Sequence, residues 1–215
     1  MLFRSDLEDL RREAYVRAVI RAAESDSVVG YVGRGVPVEI FHAMDLTPYP
    51  IYGIDGDILK YSIEENLCPL IDATVTYAKT DKCPLIHSSK LIVIGDTCST
   101  MAKELAKVKD VYVYDDDESL IVKLREVYDC RDFQNDVAAS IRERLKRVSD
   151  FVKSFELPAL QSFIIEYFLN FLDIDERMNF LGGLSSDELK SFSDVHEFVS
   201  LIYGCATCKK FLIPH

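Results

Sequence analysis

Between Val28 and Tyr128 short apolar runs of strand length alternate with helical patterns, and that alternation limits the chain to a parallel sheet with crossover helices. The runs are Val28 to Val32, Pro48 to Tyr52, Leu91 to Ile94 and Val111 to Tyr114. The intervening helices are expected at Val36 to Met44, entered through Pro37, then at Pro69 to Lys79, Ser99 to Val108 and Glu118 to Tyr128. A capping box, Ser5-x-x-Glu8, opens an earlier amphipathic helix that ends near Ser25. The fold class is therefore α/β, with a Rossmann- or flavodoxin-like parallel sheet.

Beyond Cys130 only helical patterns occur: a charged helix at Asp136 to Lys153, a break at Pro158, an apolar helix to Leu172, and a last helix opened by Ser185-x-x-Glu188. Two parts follow, an α/β lobe over 1–130 and a helical segment over 131–215. Phe163 to Leu172 (FIIEYFLNFL) is apolar on nearly every side except at Glu166 and Asn170, so it is buried either in the chain's own core or against another subunit. A homo- or hetero-oligomer formed through this helix is the expectation.

With 215 residues, 48% of them hydrophobic, the chain buries a full core without disulfides. No run of about 18 apolar residues is present and the first residues are charged from Arg4 onward, so neither a membrane span nor a secretory signal is expected. A cytoplasmic location follows, where six cysteines serve metals or redox chemistry more often than bridges. The net charge of −11 disfavours a nucleic-acid partner.

Two of those cysteines occupy equivalent positions. Cys68 precedes Pro69, and proline suits the first position of a helix because its missing N–H has no partner there, which makes Cys68 an N-cap. Cys98 ends LIVIGDTC, a buried strand turning into the next helix. Both thiols are thus expected at the positive end of a helix dipole and at the carboxyl edge of the sheet, where ligands of open α/β sheets bind and where the thiolate form is favoured. Taken one at a time, each cysteine is as readily a small buried side chain.

The wording around them carries more. Val28 to Gly53 (VVGYVGRGVPVEIFHAMDLTPYPIYG) with Cys68 to Leu105 (CPLIDATVTYAKTDKCPLIHSSKLIVIGDTCSTMAKEL) resembles the 2-hydroxyacyl-CoA dehydratase and benzoyl-CoA reductase subunit family, in the manner of the D-component of 2-hydroxyglutaryl-CoA dehydratase. Pro37, Glu39, Ala43 and Pro48 match its Pro-x-Glu helix and following proline, and Cys68 and Cys98 match its two cysteines, with Ser99 in place of the usual acidic residue. The resemblance spans roughly residues 28 to 114.

It implies an iron-sulfur cluster, of 4Fe-4S type, held by three cysteines with one iron open to substrate. It further implies an ATP-hydrolysing activator that supplies single electrons, and a lyase reaction in which a 2-hydroxyacyl-CoA loses water through a ketyl radical. Members carry a second α/β lobe with the third cysteine, whereas this chain reads as a shortened member, so the third ligand is drawn from Cys83, Cys130, Cys205 and Cys208. Cys83 is preferred because it also precedes a proline and is expected at the same sheet edge; Cys205-x-x-Cys208 has the spacing of many metal sites.

Glu39, one turn into the second helix, is a candidate acid or base, against simple complementation of the helix dipole. Arg34 is a candidate for binding the acyl-CoA anion, against an ordinary solvated arginine. His42 and His87 read as hydrogen-bonded structural groups, the glycines at 30, 33 and 35 as close backbone packing, and Asp115 to Glu118 as a solvated helix cap. Three functions remain open: a dehydratase- or reductase-type subunit whose cluster relays electrons and acts as a Lewis acid, a non-catalytic iron-sulfur carrier or assembly subunit, and a zinc-stabilised interaction protein.

Overall fold

Alternation of side chains along each strand decides how the layers form. In β1 (Val28–Val32), Val28 and Val32 point to one face and Val29 and Tyr31 to the other; in β3 (Leu91–Ile94), Ile92 and Ile94 oppose Leu91 and Val93. Every residue of both strands is buried, as a strand covered on both faces requires. The computed structural model describes residues 5–53, 56–63, 67–157 and 159–183; the side chains of 5–12, 159–161, 163 and 164 are outside that description. The expected helix at Ser185 and the pair Cys205 and Cys208 lie outside the described residues, as does the side chain of the capping residue Ser5.

The chain runs α1 (Ser5–Glu24), β1, α2 (Val38–Ala43), β2 (Thr47–Pro50), a 3₁₀ turn (Gly56–Tyr61), α3 (Pro69–Thr80), α4 (Pro84–Ser88), β3, α5 (Ser99–Leu105), β4 (Val111–Val113), α6 (Asp117–Val127), α7 (Asn135–Lys153), α8 (Ala159–Leu169) and α9 (Ile174–Gly182). The four strands form one all-parallel sheet in the order β2-β1-β3-β4. From β1 the chain moves outward to β2, then crosses back over β1 to β3. Right-handed crossovers in opposite directions place their helices on opposite faces. Accordingly α2 and α6 cover one face and α1, α3, α4 and α5 the other. The point of reversal lies between the carboxyl ends of β1 and β3, the place where open sheets leave a crevice.

Tyr128, just after α6, reaches across the opposite end of these two strands. Its hydroxyl accepts a hydrogen bond from the Leu91 N–H (3.0 Å) and donates one to the Val28 carbonyl (2.8 Å). Burial of the phenol pushes its pKa well above the usual tyrosine range.

The helices beyond residue 130 do not stand apart. Val148 and Val152 of α7 and Ile165, Tyr167, Phe168 and Leu169 of α8 belong to the same core as Val28, Ile92 and Ile94. Phe171 is 1% exposed and packs its ring edge-on to Tyr15 (5.6 Å between centroids) and Tyr167 (5.3 Å). Of the two coverings expected for residues 163–172, the described apolar side chains of this stretch take the first and fill the chain's own core. Among the described residues no helix is long and apolar enough to cross a membrane.

Candidate functional site

The carboxyl edge at the reversal point is built by two interlocked turns. After β1 the chain passes through Gly33 (φ +97°), Arg34 and Gly35 (φ +73°), and after β3 through Gly95, Asp96 and Thr97. The β1–β3 ladder continues past both strands: Gly95 N–H donates to the Val32 carbonyl (2.8 Å), Asp96 N–H to the Arg34 carbonyl (2.7 Å) and Arg34 N–H to the Asp96 carbonyl (3.0 Å). The approach is close enough that a Cβ on Gly33 would sit 2.9 Å from the Gly95 carbonyl carbon, and one on Gly95 would overlap the Arg34 carbonyl oxygen. Gly33 N–H donates to the Tyr52 hydroxyl (2.6 Å), which ties the end of β2 into the same assembly.

These turns deliver Cys98 as the N-cap of α5 (φ −63°, ψ 128°), its carbonyl accepting from Met101 N–H (2.9 Å). Cys68 is the N-cap of α3 in nearly the same conformation (φ −68°, ψ 149°), its carbonyl accepting from Asp72 N–H (2.9 Å). Neither thiol caps its helix by a side-chain hydrogen bond. Sulfur accepts amide hydrogens weakly, so a cysteine is a poor cap and serves other chemistry better. The two helices pack side by side on one face of the sheet, both starting at the carboxyl edge. Both cysteines are half-buried against one core. Arg34 is exposed at that edge.

Cys83 is elsewhere. From Cys68 to Asp81, the residue closing α3, the helix rises about 19 Å, and the two residues on to Cys83 recover at most about 7 Å. The expectation that Cys83 shares the edge of Cys68 fails on the length of that helix. Cys83 packs instead beside Tyr15 of α1, its sulfur 4.0 Å from the phenol oxygen, and burial pushes its thiol pKa up. Cys130 lies after α6 with its sulfur 3.9 Å from the Leu124 carbonyl, its pKa also raised by burial. Among the described residues no group of three or more His, Cys, Asp and Glu side chains is gathered as a metal site.

Glu39 sits in the first turn of α2, on the sheet face opposite Cys68 and Cys98, and its Oε1 accepts from Arg142 Nε of α7 (2.7 Å). Its side chain is 13% exposed, so the ion pair fastens α7 to α2. His42 on the same helix is half-buried, with Nε2 buried and unpartnered; desolvation, helped by Arg177 and Arg144, pulls its pKa down to about 3 and keeps it neutral. His87 is exposed, with Nδ1 3.1 Å from Asp81 Oδ1. Asp116 caps α6 by accepting from Ser119 N–H (2.9 Å), as the acidic run implied. Tyr52 and the antiparallel bridge of Arg34 with Asp96 were not foreseen; the signal for the bridge is a glycine following each strand, at positions 33 and 95.

The model of the family described as 2-hydroxyglutaryl-CoA dehydratase, D-component, matches residues 35–155, more than half of the chain and a stretch that holds both Cys68 and Cys98. A protein of Escherichia coli (strain K12) described as "Putative dehydratase subunit YjiM" is 41% identical over 54 residues, which amount to 24% of this chain and 14% of that longer protein.

Proposed function

Because the chain belongs to the 2-hydroxyglutaryl-CoA dehydratase D-component family, we propose that it is a dehydratase-type subunit in which Cys68 and Cys98 ligate an iron-sulfur cluster of 4Fe-4S type. The observation that supports this reading is the pairing itself: two half-buried cysteines, each an N-cap that makes no side-chain cap bond, at one edge of one sheet. Thiolates are the ligands iron clusters take, and two helix N-termini favour the negative charge a thiolate-bound cluster carries. The donor set fits two ligand positions. The remaining donors come from outside the described residues or from a partner subunit, since Cys83 and Cys130 are placed elsewhere.

A bound cluster would supply single-electron transfer and a Lewis-acidic iron for dehydration of an acyl-CoA. This chain's own residues hold the thiolates half-buried against the core beneath α3 and α5, and offer the exposed Arg34 to an anionic substrate at the same edge. Glu39, engaged by Arg142 on the sheet face away from the cysteines, is assigned to structure and not to proton transfer. The reading carries with it a cytoplasmic location and an ATP-dependent electron activator as partner. A second reading, a cluster carrier without chemistry of its own, is favoured by the single sheet found among the described residues.

Anaerobic purification followed by iron and sulfide analysis, with electron paramagnetic resonance of the dithionite-reduced protein, tests the proposal. Cys68→Ser and Cys98→Ser should each lose most of the bound iron and sulfide, while Cys83→Ala keeps them. A colourless, zinc-containing protein, or full iron retention in both serine variants, would remove the cluster from the account. Turnover of a 2-hydroxyacyl-CoA in the presence of an activator distinguishes subunit from carrier.

A further inference from the structure

The outermost strand on the β3 side, β4, has one neighbour among the described residues. Its bonds to β3 run from Ile92 N–H to the Asp110 carbonyl (2.9 Å) and from Tyr114 N–H to the Ile94 carbonyl (2.8 Å). The peptide groups of residues 110, 112 and 114 therefore turn inward, and by the alternation of a strand those of Val111 and Val113 turn outward. Val113 is 62% exposed, so among the described residues the outer margin is apolar as well as unpaired on that side. Natural sheets protect such an edge by keeping it very short or with a proline, a bulge or a mid-strand lysine; Val111-Tyr112-Val113 is short, at three residues, and carries none of the other three.

The segment is also complementary to itself when reversed. It reads Lys109-Asp110-Val111-Tyr112-Val113-Tyr114-Asp115. Under a two-fold axis beside Tyr112, Val111 faces Val113 of a second copy and Lys109 faces Asp115 of that copy, both twice over. The outward-turned residues fall opposite one another, which is the arrangement in which antiparallel strands exchange paired hydrogen bonds. A register shifted by one residue would set inward-turned groups against outward-turned ones.

We propose that β4 is a homodimer interface, in which the β4 strands of two copies pair antiparallel about Tyr112 and join two four-stranded sheets into one of eight. The occupant is a second copy because the charge pattern inverts across the axis, lysine before the strand and aspartate after it, as an isologous contact requires. This interface is independent of the cluster assignment and lies on a strand, not on the apolar stretch 163–172.

Sedimentation velocity of the full-length protein over a concentration series should show a species of twice the 24.5 kDa chain. Val113→Lys, at an exposed position, should leave thermal unfolding of the monomer unchanged and raise the dimer dissociation constant at least about tenfold. Lys109→Glu and Asp115→Lys should each weaken the dimer by about tenfold at low salt, and the double reversal should restore it, because each single change sets two like-charged pairs face to face. Tyr112→Cys, oxidised, should give a 112–112 disulfide in peptide mass analysis, since residues facing each other across such an axis stand about 4.5–5.5 Å apart. A protein monomeric throughout the series, as when residues 184–215 or a strand of another protein occupies this edge, overturns the proposal. So does a dimer indifferent to Val113→Lys and to the charge reversals.

Discussion

Gly95→Ala is the most direct probe of how the carboxyl edge is assembled. A methyl group there would meet Val36 Cγ2 at 2.7 Å and overlap the Arg34 carbonyl oxygen, and neither neighbour is the free end of a long side chain. The turn after β3 must therefore draw away from the turn after β1. Overpacking of this kind costs about 1–3 kcal/mol. Separation of the turns also strains or breaks the two hydrogen bonds between Arg34 and Asp96, each contributing about 0.5–1.5 kcal/mol. The sum is about 2–6 kcal/mol, a large part of the stability of a domain this size. Urea unfolding followed by circular dichroism measures it, with the midpoint falling and the slope unchanged. Gly182→Ala is the control: a Cβ there meets nothing within 4 Å, and its effect should lie within about 1 kcal/mol. Gly95→Ala within about 0.5 kcal/mol of the wild type would refute the interlocking of the two turns and, with it, the fixed placement of Cys98.

Two further outcomes test the packing. Phe171→Ala removes a ring that is 1% exposed and in contact with Tyr15, Tyr49, Tyr167 and Phe168, and should cost about 3–5 kcal/mol independently of protein concentration; a loss under about 1 kcal/mol, or one that appears only on dilution, would return this segment to an intersubunit role. His42, held neutral with a pKa of about 3 against an ordinary value of 6.5, lets the unfolded chain bind one proton more than the native one between those limits, so stability should fall as pH drops from about 6.5 toward 3; His42→Leu should show a shallower pH dependence in urea titrations at pH 7, 6, 5 and 4, and equal slopes would contradict the assignment.

The parts of the fold legible in the sequence were those written in local chemistry. Val28–Val32 and Leu91–Ile94 are bounded apolar runs, and both strands have those limits in the structure. Helix α4, five residues long, is too short to display a period, and it went unread. Helix α9 has no counterpart in the sequence reading, although Asp173-x-x-Glu176 is a legible start signal, with Asp173 N–H donating to the Glu176 carboxylate (3.4 Å). The site shows the same limit. Cys68-Pro69 and Cys83-Pro84 are the same local phrase, and both cysteines are N-caps. What separates them is the twelve-residue helix between, which carries the second far from the first. Likewise FIIEYFLNFL announces burial but not what covers it, because Tyr15 and Tyr49 come from distant parts of the chain.

The hydroxyl of Tyr128 joins residues 28 and 91 from a place later in the chain than either. During synthesis all four strands can therefore collapse before this side chain joins the starts of β1 and β3. That lock closes when α6 swings its end over the amino edge, one side chain sealing both strands at once. A ribosome paused earlier would present an α/β lobe with its strands present and its fastening still inside the exit tunnel, an interval in which the lobe is open to chaperones and to proteolysis.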